Sequence, residues 1–131
     1  MNILFHPIVL HFPIALFYLE TLLLFFWVIK KEDDCRRFAL FTFRVGYFSL
    51  LVTLIAGWID MGGAEHLEGI VRVHFCCALG VFILYTVRAF YWRFAKAGQA
   101  GYLQVLITSA VAGNILIAIT GYFGGRLVYS S

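Results

Sequence analysis

The chain has 131 residues and a formal net charge of +3, and it is 63% hydrophobic and only 13% charged, about half the ~25% charged share of soluble domains. With a mean hydropathy of +0.91 it has too few polar side chains to cover a soluble fold of this size. Soluble enzyme, nucleic-acid binder and secreted disulfide scaffold are all disfavoured. The ten Lys and Arg lie at the ends of apolar runs and form no solvent-facing stripe, so they report topology and not a nucleic-acid surface. Cys35, Cys76 and Cys77 make no C-x-x-C motif, which argues against a sulfur metal site or covalently attached haem.

Residues Met1 to Phe5 carry no basic n-region, and the apolar stretch beyond them has no small-residue cleavage site, so the first span is expected to be retained. That span is predicted over Pro7 to Ile29. His6 precedes it and reads as a cap on the helix start. Pro13 predicts a kink, because its ring removes one helical N–H and frees a carbonyl near Val9. Glu20 is anomalous, an acid deep among apolar neighbours.

A charged break, Lys30 to Arg37, leads to the second span, Phe38 to Ile59. Arg44 lies within ~4.5 Å of the depth of Glu20 at ~1.5 Å per residue, so an ion pair between Glu20 and Arg44 is expected. A proton-carrying carboxyl at Glu20 is the functional alternative. In the loop Asp60 to Gly69, which also holds His66, the acids Asp60, Glu65 and Glu68 read as ordinary loop residues in water. The third span covers Ile70 to Trp92, and the fourth covers Tyr102 to Phe123, where Asn114 is expected to hydrogen-bond to another helix.

Each span suffices to cross a bilayer core, and the short breaks force an up-down-up-down bundle. The expected fold is an all-α membrane protein of four transmembrane helices, one domain over residues 1–131, with no internal repeat. Strands are ruled out, since an open sheet edge is unsatisfied in lipid. Eight basic residues fall on one side and Arg72 and Arg126 on the other, so both termini are expected on the non-cytoplasmic side. Trp27, Trp58 and Trp92 read as interfacial belt residues.

All four histidines, His6, His11, His66 and His74, fall on the outer half, and this segregation is the main functional signal. His11 and His74 each follow a helix start by four residues, so both lie ~6 Å below the interface. The first and third helices stand diagonally in a square bundle, ~11–14 Å apart. That gap suits haem b held by His11 and His74 as axial ligands. Arg72 and Arg126 would pair with its propionates, and Gly57, Gly80 and Gly121 would make room. Two other readings stay open: an outer-side transition-metal site drawing on His6, His11, His66, His74, Asp60, Glu65 and Glu68, and histidines that only bond helix to helix.

The residues His6-Pro7, then His11-Phe12-Pro13-Ile14-Ala15-Leu16, Gly57-Trp58-Ile59-Asp60, His74 and Thr120-Gly121-Tyr122-Phe123-Gly124-Gly125-Arg126-Leu127-Val128-Tyr129 form a pattern that spans nearly the whole chain. It resembles the prokaryotic four-helix membrane family catalogued as domain of unknown function 2231. The resemblance implies a similarity to small b-type cytochromes and an association with electron-transfer modules. On that pattern the carried positions are His11, Asp60, His74, Gly124, Gly125 and Tyr129. The position before Leu127, often acidic in the family, is Arg126 here, which favours an anionic partner at that corner.

The expected function is electron transfer by a haem b protein of a prokaryotic inner (cytoplasmic) membrane, working with cytochrome or membrane-complex partner subunits, in the lipid bilayer and without nucleic acid. A stand-alone enzyme is disfavoured, because no serine or cysteine sits with a base in a readable motif. The alternative is a cofactor-free accessory subunit of a respiratory or photosynthetic complex. An outer-side metal binder or small transporter is weaker.

Overall fold

A computed structural model describes residues 5–129; of the stretch Met1 to Phe5 only the last residue lies within it. The elements are α1 (Phe5–Val9), α2 (His11–Lys30), α3 (Asp33–Met61), a 3₁₀ turn (Ala64–His66), α4 (Gly69–Phe94) and α5 (Tyr102–Tyr129). Four helical spans are long and apolar enough to cross a membrane, with α1 and α2 forming one of them. Among the described residues there is no strand.

The helices outrun their predicted bounds where polar residues favour helix ends. Asp33 and Asp34 occupy the first turn of α3, where carboxylates complement the positive end of the macrodipole. The charged break therefore shrinks, α2 closing at Lys31 in a left-handed conformation, φ 55°. Gly62, φ 77°, closes α3 in the same way.

At Leu10 the ladder between α1 and α2 is interrupted, as Pro13 requires, since proline has no N–H to give to Val9. Thr53 Oγ1 of α3 donates to the Ser49 carbonyl at 2.8 Å and lies 3.4 Å from the freed carbonyl of Val9, so its single hydrogen is shared unequally between them. Side chains of neighbouring helices that approach a freed carbonyl help membrane helices tolerate proline.

Around the bundle α2 packs on α3, α3 on α4, α4 on α5 and α5 on α2, so α2 and α4 stand diagonally. The closest packing is within the hairpins α2/α3 and α4/α5, and the α3/α4 seam is the sparsest. Every helix is apolar on all sides, so hydrophobicity does not choose its inward face. Buried polar groups do that. Glu20, 0% exposed, receives both guanidinium arms of Arg88 at 2.7 and 2.9 Å. Arg88 also donates to Ser109 Oγ at 2.9 Å and to the Leu106 carbonyl at 3.2 Å. The expected partner was Arg44, but that side chain is exposed. Depth was matched, but Arg44 sits on a face of α3 turned away from α2.

Asn114 Nδ2 donates to Thr21 Oγ1 at 2.8 Å, the expected cross-helix bond. Trp92 is buried in the core and does not sit in an interfacial belt.

Residues at a constant offset make the same contacts in the two hairpins. Phe17 and Tyr85 are 68 positions apart, as are Glu20 and Arg88, and Leu24 and Trp92; all six are buried. On the partner helices the offset is 67. The side chain a Cβ on Gly46 would meet is Phe17, at 2.9 Å, and the one a Cβ on Gly113 would meet is Tyr85, at 2.5 Å. The chain is therefore an internal repeat of one helical hairpin, contrary to the sequence reading, because burial and backbone approach repeat while most side-chain identities do not.

Removing one member of the buried pair, as in Glu20→Leu or Arg88→Met, leaves an unpaired charge and should cost about 3–5 kcal/mol. The double variant should recover most of that loss, as read from unfolding of the detergent-solubilised protein. A double variant as unstable as the sum of the singles would contradict the pairing.

Candidate functional site

At the end of the bundle opposite the basic cluster, α1 approaches the first turns of α4 across the axis. The rings of His6 and His74 meet edge to face there, with centroids 5.9 Å apart and planes at 81°. His6 Nδ1 lies 2.9 Å from the Thr53 carbonyl of α3, and His74 Nδ1 lies 3.0 Å from the Thr120 carbonyl of α5. A carbonyl only accepts, so in each ring Nδ1 carries the hydrogen and the neutral imidazole keeps its lone pair on Nε2. His6 Nε2 is buried and has no partner.

Two glycines make this geometry accessible. A Cβ on Gly57 would lie 2.8 Å from His6 Nδ1, and one on Gly124 would lie 3.0 Å from His74 Cε1. The rings thus rest directly on the backbones of α3 and α5. The hairpin repeat holds here too: His6 and His74 differ by 68, and Thr53/Thr120 and Gly57/Gly124 by 67. The two imidazoles are equivalent, with one carbonyl and one glycine each. Asp60 departs from this equivalence, its Oδ2 accepting the His6 backbone N–H at 2.8 Å. A carboxylate at this helix start suits the dipole, so Asp60 is a structural anchor of α1 and not a solvated loop acid.

Beneath the rings is a cavity of about 40 Å³ with an apolar wall drawn from all four spans, including Phe17, Leu54, Val81 and Gly121. It has room for an ion or a water.

Several expected site residues lie elsewhere. His11 is exposed, its Nδ1 bonded to the Pro7 carbonyl one turn back along its own segment at 2.9 Å. His6, expected as a cap, takes the inward place. His66, Glu65 and Glu68 are exposed around the 3₁₀ turn, and among the described residues no group of three or more His, Cys, Asp or Glu could hold a metal ion. Arg72 and Arg126 are exposed at the histidine end. Gly124 backs His74, whereas a Cβ on Gly125 or Gly121 would meet nothing within 4 Å, and Gly80 faces Leu116.

The spacing held the signal that separates His6 from His11. Glu20 marks the inward face of the first span. At about 100° per residue, nine residues carry His11 to the opposite face, while fourteen return His6 to within about 40° of Glu20. The same fourteen separate His74 from Arg88.

Gly57→Ala or Gly124→Ala should push its histidine off the backbone and destabilise the protein by about 1–3 kcal/mol, with a shifted imidazole resonance by NMR. Gly125→Ala should change neither. Equal effects from all three would mean that the close ring approach is not what these glycines provide.

Residues 2–131 match the model of one protein family, described as predicted membrane protein (DUF2231). Among curated proteins and among solved structures, nothing matches.

Proposed function

The chain belongs to the DUF2231 family of predicted membrane proteins, and we propose that this member is an electron-transfer protein that holds haem b between His6 and His74. The observation that carries the reading is that both imidazoles commit Nδ1–H to a backbone carbonyl, which leaves the lone pair on Nε2, and that Nε2 of His6 is buried without a partner. A metal-ligating histidine characteristically spends its other ring nitrogen in this way, which fixes tautomer and orientation and raises ligand basicity. Two histidines would be enough to hold a haem iron, and His6 and His74 are the two that the bundle brings together.

When bound, the haem supplies one-electron redox chemistry. The chain's own residues prepare its place. The Thr53 and Thr120 carbonyls orient the rings, Gly57 and Gly124 let them lie close to the helix backbones, and Asp60 anchors α1 so that His6 keeps its position. The apolar lining keeps water from the donors. The cavity of about 40 Å³ is smaller than a macrocycle, so loading requires the helix ends to part. Gly121, which lines the cavity with no neighbour at its Cβ position, and the sparse α3/α4 seam leave room for that movement.

The positive-inside bias sets the basic end in the cytoplasm and both termini outside, so the histidine pair would serve a redox partner at the outer face of a prokaryotic inner membrane. One observation favours a second reading, a cofactor-free accessory subunit. The same Nδ1 bonds cross from α1 to α3 and from α4 to α5, so the rings also staple helices without any metal.

Purified protein should show a Soret band and reduced-minus-oxidised visible bands. His6→Ala and His74→Ala should each abolish them, while His11→Ala and His66→Ala should leave them intact. A colourless wild type in which His6→Ala and His74→Ala only lower stability would replace the haem reading with the second. Full haem content in both variants would refute the ligand assignment.

A further inference from the structure

At the other end of the bundle, the sparse seam between α3 and α4 opens into a cavity of about 220 Å³. Arg44 from α3 and Arg93 from α4 both line it, over Phe43, Tyr47 and Trp92. The two guanidiniums share one cavity, and among the described residues the ion pair formed is Glu20 with Arg88. Arg93 lies over the Phe94 ring at 5.5 Å, a cation–π contact that leaves its charge uncancelled. Both side chains are exposed in this opening, where two like charges repel and basic residues near the membrane surface attract anionic headgroups.

The hairpin repeat supplies a control inside the same molecule. The seam equivalent to α3/α4 is that between α5 and α2. At the offsets of 67 and 68, Arg44 corresponds to Val111, Arg93 to Phe25, Tyr47 to Asn114 and Ala89 to Thr21. That second seam packs more closely, although each seam has a cross-helix hydrogen bond, Asn114 to Thr21 there and Tyr47 with Thr86 here. Both cations, and the open space, belong to only one of two otherwise matched interfaces.

We propose that this cleft binds the phosphate headgroup of an anionic phospholipid, held by the Arg44 and Arg93 guanidiniums. Guanidinium forks match phosphate oxygens, and basic pockets between transmembrane helices take lipid headgroups. The apolar wall, Leu40, Phe43 and Ala89, together with the lateral position of the seam, selects a lipid over a soluble phosphate. The site lies at the opposite end from the histidines and does not depend on the haem reading.

The test is native mass spectrometry of the full chain in detergent with equal amounts of phosphatidylglycerol and phosphatidylcholine. Wild type should retain one phosphatidylglycerol preferentially, and R44Q/R93Q should lose that preference by about thirtyfold. K31Q/K96Q, which removes two charges from the same end outside the cleft, should keep it. R44K/R93K retains charge without the fork, guards against a folding defect, and should lose only part of the preference. An unchanged preference in R44Q/R93Q, or an equal loss in K31Q/K96Q, overturns the proposal. Displacement of the lipid by soluble glycerol phosphate would reassign the cleft to free phosphate and overturn the lipid assignment.

Discussion

An ion pair that lipid cannot solvate fixes the arrangement of this bundle. Helices that are apolar on every side gain little from one rotation over another, since the surroundings are as apolar as the core. Glu20 and Arg88 remove that freedom. Each is costly facing hydrocarbon, and the two meet only when α2 and α4 face each other across the axis, with Ser109 and the Leu106 carbonyl of α5 taking further N–H groups of the arginine. Rotation of α2 by a third of a turn would break both bonds of the pair, and the same rotation of α4 would break the contacts to α5 as well.

Once that rotation is set, the histidine end follows. His6 and His74 each lie fourteen residues before a member of the ion pair, two heptads in a bundle whose inward positions repeat every ~3.5 residues. The two facing polar pairs are therefore stacked about 21 Å apart along the axis at ~1.5 Å per residue. Between them Phe17 and Tyr85 stack with ring centroids 3.8 Å apart, each admitted by a glycine on its own hairpin. The intervening core is largely apolar and aromatic, which keeps the two polar levels separate.

Much of this was legible in the sequence. Apolar length gave four spans, short breaks gave the antiparallel order, and Pro13 and Asn114 behave as backbone chemistry and helix contact require. His6, and not His11, is on the inward face, because the backbone is already helical at Phe5 and fourteen residues, unlike nine, bring a side chain back to the side of Glu20. Arg88, and not Arg44, meets Glu20, because equal depth does not set rotation about the helix axis. Hydropathy does not report the face of a helix in a membrane, whereas spacing from Glu20 does. The repeat is not legible in residue identities, because what recurs is a glycine's missing Cβ and a threonine's backbone carbonyl, with the facing residues themselves altered.

Those alterations explain why the two hairpins are fused in one chain and not paired as identical subunits. A symmetric dimer sets the same residue opposite itself across the axis. Two neutral imidazoles tolerate this. Two glutamates or two arginines at the level below would not, since like charges in low dielectric repel strongly. Fusion lets position 20 be acidic and its equivalent at 88 basic, so self-repulsion becomes a bidentate pair. It also lets one seam keep Val111 and Phe25 while the other acquires Arg44 and Arg93. Symmetry is kept where two neutral imidazoles meet and broken where charge requires a difference.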